Sequence, residues 1–215
     1  MISPELARIV AHICGDGYVG TYIQRRSPKE LIVHPRKNLF YRRWVVRYVN
    51  TEPALVKQFV QDAKREFKRV VVPREKKHEY ELSAKWIYEK VTFLGAGKSH
   101  DWFIHDEILA SPRAVKAAWL QAFFDDEAHV SRPQKRIVLN IVNKPGLRQV
   151  KKLLQEFGIR STLHGPYKYG EFYSYHLNIY RDSIPRYAED IGFYHPKKKA
   201  HLAEILKGTY GGARI

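Results

Sequence analysis

The sequence predicts an α+β protein built as two copies of one unit, each reading helix, two strands, helix, two strands, helix. Three observations predict it. An apolar helical stretch ends in acid twice, at IVAHICGDG (9–17) and at LQAFFDDEA (120–128). The same order of periodic segments follows each stretch. Matching residues then recur at matching places: Asn50 and Asn143 precede helices that begin near proline, Phe67 and Phe157 close those helices, and Tyr88 and Lys98 match Tyr187 and Lys197 in spacing.

The elements follow in order. Ser3 and Pro4 open a helix through Cys14, with Leu6, Ile9, Val10 and Ile13 on one face. Gly15 and Gly17 end it around Asp16. Residues 18–24 read as a strand, 25–38 as a basic loop with a short apolar piece at Leu31–Val33, and 39–49 as a second strand. Glu52 and Pro53 start an amphipathic helix over 53–67. Strands near 69–73 and 79–83 precede a helix over about 84–94. The second copy opens at Ser111 and Pro112 with a helix through Asp125, then strands over 128–132 and 136–142. A helix follows from Pro145 to Phe157, then strands over 159–164 and 172–180, a helix near 183–192 and a basic terminal helix over 197–207. The tail from Gly208 has no core-forming pattern and is expected to be mobile. The units are placed at 1–104 and 105–215, the first being longer between its acid and its asparagine.

Alternation assigns strand faces. Trp44, Val46 and Tyr48 share one face, as do Ile137, Leu139 and Ile141. Arg43, Val45 and Arg47 share the other, as do Arg136, Val138 and Asn140. Each half thus offers an apolar side to its helices and a polar side to solvent.

Composition narrows the class. The 215 residues are 44% hydrophobic, enough for a real core. Lys plus Arg number 38 against 22 Asp plus Glu, a net +16, which points to a polyanionic partner. The single cysteine excludes an internal disulfide and a Cys-rich zinc site; it is read as a small core residue. No apolar run reaches the length of a membrane span, and charges interrupt the first apolar run, so a soluble, intracellular, unsecreted protein is expected. The histidines at 12, 78, 100, 105, 129, 195 and 201 lack metal-ligand spacing, and no phosphate-binding glycine loop occurs.

The two acid-ended stretches, each opening a repeat in a basic chain, resemble the motifs of monomeric LAGLIDADG homing endonucleases. The resemblance covers nearly the whole chain. It implies two pseudo-symmetric αββαββα repeats, paired motif helices at the centre and two antiparallel sheets forming a DNA-binding saddle. It implies site-specific cleavage of double-stranded DNA at a long recognition site, by metal-dependent phosphodiester hydrolysis that leaves short 3′ overhangs.

Asp16 and Glu127 would be the catalytic acids and metal ligands, joined by the carbonyls of Gly15 and Asp126 around two or three Mg²⁺ ions. Lys98 and Lys197 would sit near the two phosphates. Small residues four apart, Ala11 with Gly15 and Ala118 with Ala122, would let the motif helices approach closely. Base and phosphate contacts are expected from Tyr22, Gln24, Arg25, Arg26, Arg43, Arg47, Arg74, Lys76, Lys77, Arg132, Gln134, Arg136, Asn140, His164, Lys168, His176 and Asn178.

Three residues depart from the family pattern. Ala128 stands where glycine is usual and predicts strain after Glu127. Asp126 stands where a small residue is usual, and His12 where an aliphatic one is. The alternatives are an RNA-binding maturase of the same fold, with intron RNA as partner, and a non-catalytic DNA-binding regulator. An intein is disfavoured, since no splicing domain is seen to flank the repeats.

Overall fold

A computed structural model describes residues 1–33, 38–74 and 77–210, with side chains except at 169 and 208–210. Lys76 and residues 211–215 lie outside the described residues. The first half contains α1 (Pro4–Cys14), β1 (Gly17–Arg25), α2 (Pro28–Val33), β2 (Phe40–Val49), α3 (Pro53–Phe67), β3 (Val72–Arg74), β4 (Glu79–Leu82) and α4 (Lys85–Phe93). The second contains α5 (Asp106–Leu109), α6 (Arg113–Glu127), β5 (Ala128–Ser131), β6 (Arg136–Ile141), α7 (Lys144–Glu156), β7 (Thr162–Tyr169), β8 (Phe172–Tyr180), α8 (Ile184–Asp190) and α9 (Pro196–Tyr210). Two antiparallel four-stranded sheets result, ordered β1-β2-β4-β3 and β5-β6-β8-β7, so the duplication is visible in the topology.

Local chemistry explains the main helix starts. The Ser3 hydroxyl accepts from the Leu6 amide at 3.0 Å ahead of Pro4. Glu52 caps Ala54, and the Asn143 side chain accepts from Gly146 at 3.0 Å. Two short helices depart from the sequence reading: α2 lies within the expected basic loop, and α5 precedes α6. The terminal helix runs through Tyr210, three residues past Lys207, so residues 208–210 are helical where a mobile tail was expected.

The two halves share one core. α1 packs against α6, and Leu6, Ile9, Val10 and Ile13 share one buried cluster with Trp119, Leu120 and Phe123. Val46, Tyr48 and Leu82 line its first sheet, and Ile137, Leu139, Leu177 and Ile179 its second. Cys14 is a buried free thiol in that core. The predicted faces hold with one exception. Val45 falls on the polar side yet is fully buried, beside Gly20, over which the Tyr18 ring folds.

Candidate active site

The α1–α6 seam places the acids. A Cβ on Gly15 would lie 2.9 Å from the Asp126 Cβ across the seam, so only glycine allows this approach. Gly17 is equally constrained, because a Cβ there would lie 2.3 Å from the Ile13 Cα as the chain doubles back into β1. α1 therefore ends just before Asp16, and α6 ends on Glu127 itself. Ala128 follows in an extended conformation, φ −84° and ψ 143°, so the strain expected at this position is absent.

Asp16 and Glu127 lie within electrostatic reach of each other at the foot of the seam. Burial, then the neighbouring Asp126, pushes the Asp16 carboxyl up to about 6. Burial, then Asp16 and Asp126, pushes Glu127 up to about 7. Like charges crowded at two helix C-termini produce this pattern, and it favours a cation. Among the described residues no group of three or more His, Cys, Asp or Glu forms a metal cage. The donors are instead one carboxylate from each half together with helix-end carbonyls, a hard oxygen set that suits a divalent cation.

Asp126 takes a different part from the one expected. Its side chain is wholly buried. His12 Nδ1 donates to its Oδ2 at 2.8 Å, and the Tyr48 hydroxyl donates to its Oδ1 at 2.7 Å. The Asn50 amide donates to Asp16 Oδ2 at 3.1 Å and to Asp126 Oδ1 at 3.3 Å. Burial lowers the His12 pKa, but Asp126 outweighs it and leaves the imidazole above its ordinary value. Burial and Asp126 also hold the Tyr48 hydroxyl protonated. Two of the three departures from the family pattern, His12 and Asp126, are therefore partners.

Lys197 is exposed, and the next residue, Lys198, reaches the acids. Its ammonium donates to the carbonyls of Phe124 at 3.2 Å, Asp125 at 2.5 Å and Asp126 at 3.1 Å. The Asp126 carbonyl, expected as a metal ligand, thus already faces an ammonium. The Asp125 carboxylate, pushed up to about 7 by burial against the pull of its amide donors, accepts from the Tyr194 and His195 amides and fixes the start of α9. Lys98 is exposed, and its carbonyl accepts from the Asp101 amide. Beside Glu127 lies a polar cavity of about 180 Å³, lined among others by Gly15, Ser99 and Asn140.

The polar faces carry most of the expected contact residues. Tyr22, Gln24, Arg43 and Arg47 share a face of the first sheet. Arg43, Arg47 and Arg74 converge on Glu81, at 2.5, 2.8 and 3.1 Å, and Arg43 also reaches Gln24 at 2.9 Å. Burial raises the Glu81 pKa, but the arginines outweigh it and leave the carboxyl below its ordinary value. These three arginines are therefore pre-positioned by a buried acid rather than free.

In the second sheet Arg136, Asn140, His176 and Asn178 share the polar face with His164. The His176 ring lies 4.6 Å from that of Tyr167. Arg25 alternates to the face opposite Gln24, and Lys168, beyond the β7 irregularity, to the face opposite His176. Arg26 stacks on Tyr41 at 4.1 Å. Arg132 pairs with Glu204 of α9, Gln134 meets Ser131, and Lys77 is exposed.

A pH dependence follows from the carboxyls. Asp125 and Glu127 titrate near 7 in the folded chain, against about 4 unfolded. The folded state therefore binds more protons, and stability is lost as pH rises through 7. The lowered imidazoles of His176 and His195 act oppositely, but only below their ordinary value of 6.5. From pH 6.5 to 8 without divalent cations, stability should fall by about 1 kcal/mol after solvent screening and the opposing pull of the lowered Lys198, or roughly 2–4 °C. Millimolar Mg²⁺ should restore more at pH 8 than at 6.5. Thermal melts check this; a midpoint that is flat or rising over this range contradicts it.

The LAGLIDADG-like domain family matches residues 114–192. A replication factor C small subunit of Thermococcus kodakarensis is 28% identical over 171 residues, 76% of this chain and 19% of that protein. The chain thus spans about a fifth of that relative's length. Solved mesophilic variants of the homing endonuclease I-DmoI superpose with a TM-score of 0.64 at 21% identity, covering 93% of this chain and 97% of theirs. I-DmoI in complex with DNA and Mn gives 0.61 at 20% identity, covering 87% and 96%. The chain is a two-repeat protein of the LAGLIDADG fold, and its second repeat carries the LAGLIDADG-like domain in sequence as well.

Proposed function

We propose that the chain is a metal-dependent, site-specific DNA endonuclease of the homing type, acting as a monomer built from units 1–104 and 105–215. The observation that carries this is the close approach of Gly15 to Asp126 at the foot of one seam, which brings the next residues, Asp16 and Glu127, near each other between two sheets with polar outer faces. The net charge of +16 supplies the attraction for duplex DNA. The resemblance to I-DmoI, a homing endonuclease solved with DNA and Mn, supports the same reading. A divalent cation held beside these acids, with Glu127 and the Gly15 carbonyl among its oxygen ligands, would polarise the scissile phosphate and stabilise the departing oxygen. Asn50 orients Asp16, Gly15 permits the approach of the helices, and Glu81 spreads three arginines for the DNA backbone and bases. A maturase or a silent DNA-binding regulator would not need the acids brought together.

The test is cleavage of a plasmid library carrying random long inserts. With Mg²⁺, one class of site should be linearised with short 3′ overhangs, and EDTA should stop it. No cutting with Mg²⁺ or Mn²⁺, or cutting that persists in EDTA, overturns the proposal.

A further inference from the structure

The two helix ends at the foot of the seam are built differently. At the end of α6 the carbonyls of Phe124, Asp125 and Asp126 all accept from the Lys198 ammonium. The Phe124 carbonyl also accepts from the Ala128 amide, and a helix C-terminus concentrates negative potential at these last carbonyls. Lys198 also interacts electrostatically with Asp16, Asp125, Asp126 and Glu127. Burial holds the Lys198 ammonium below its ordinary pKa against the pull of these four acids, and with three helix-end carbonyls as its acceptors it stands where a bound cation would stand.

The other end is built otherwise. The repeat that matches Lys98 with Lys197 sets Ser99 opposite Lys198. Ser99 is too short and carries no charge. Around it lies the cavity of about 180 Å³ lined by Cys14, Gly15, Glu127 and Asn140. One end of the seam therefore carries its own cation, and the other offers a carboxylate, a helix-end backbone and room.

We propose that Lys198 is a resident cation that replaces a divalent ion at the α6 end, leaving one principal divalent site, at the α1 end, held by Glu127. The inference rests on the endonuclease reading and refines it: the two half-sites work with different cations. Lys198 is a positioning residue here, since it acts on the acids and carbonyls rather than on substrate.

The experiment titrates Mn²⁺ into the intact chain and follows free Mn²⁺ by electron paramagnetic resonance, independently of cleavage. Wild type should take up one ion. Glu127→Gln should weaken that ion by about tenfold or more, and Asp16→Asn by much less. Lys198→Met should admit a second ion, while Lys198→Arg, which keeps the charge, should stay at one. Circular dichroism confirms the fold of each variant, and wild type, Glu127→Gln and Lys198→Arg decide the matter if Lys198→Met does not fold. Two equivalent ions in wild type, or one ion lost equally with Asp16→Asn and Glu127→Gln, overturn the inference and leave the endonuclease reading standing. Uptake of no ion, together with failure to cut DNA in Mg²⁺, overturns the endonuclease reading itself.

Discussion

Asp16→Asn should lower the rate of double-strand cleavage by at least about 10³-fold while leaving DNA binding intact, and Glu127→Gln should do the same. Each substitution keeps the volume and removes the charge. Each carboxylate sits among like charges that Lys198 offsets only in part, so its negative charge is the property the site depends on. An Asn at position 16 can still meet the Asn50 side chain through its carbonyl oxygen, so local structure should survive. Binding should hold or tighten, because each change removes one negative charge facing a polyanion. The measurements are single-turnover cleavage of a labelled duplex with Mg²⁺ and a gel-shift titration with Ca²⁺. A variant that cuts at the wild-type rate removes its acid from the chemistry.

Much of this site was legible in the chain. Asp16 and Glu127 stand out because each ends an apolar helix and each helix opens a matching repeat. Gly15 was readable as half of a small-residue pair. Lys198 was not readable, because the anchor spacing selects Lys197, and one residue along a helix turns the side chain by about 100°. Only the docking of α9 decides which of the two lysines faces the acids, and that docking depends on Asp125, some 70 residues earlier in the chain.

The arginines show a related limit. Alternation places Arg43 and Arg47 on the polar face correctly. That Arg74 joins them on Glu81 depends on how β4 pairs with its two neighbours. Lys168 lies on the face opposite His176 because the irregularity in β7 shifts the alternation by a residue, which a uniform period of two cannot register. His12 and Asp126 were each visible as departures from the family pattern. Nothing in the order of residues joins them, since the contact spans 114 positions and exists only when α1 lies against α6.

That contact carries the second large effect. Asp126→Ala should destabilise the protein by about 3–5 kcal/mol, because it leaves His12, the Tyr48 hydroxyl and part of the Asn50 amide without their acceptor in the core. In a chain of this length the midpoint of thermal unfolding should fall by roughly 6–20 °C. His12→Leu alone strands the buried carboxylate instead, although Tyr48 and Asn50 still donate to it, so its cost should be smaller. The double variant removes both charged groups and should be clearly less destabilised than the sum of the two. Denaturant unfolding of the four proteins gives the coupling directly. Additive losses, or a loss under about 1 kcal/mol for Asp126→Ala, would mean that the seam is held by Ala11, Ala122 and the surrounding apolar packing alone. A strong coupling instead makes the pair part of what fixes Asp16. Asn50 bridges Asp16 and Asp126, so a seam that loses Asp126 also loosens its hold on the catalytic carboxylate. Cleavage by Asp126→Ala should therefore drop even at temperatures where the variant is fully folded.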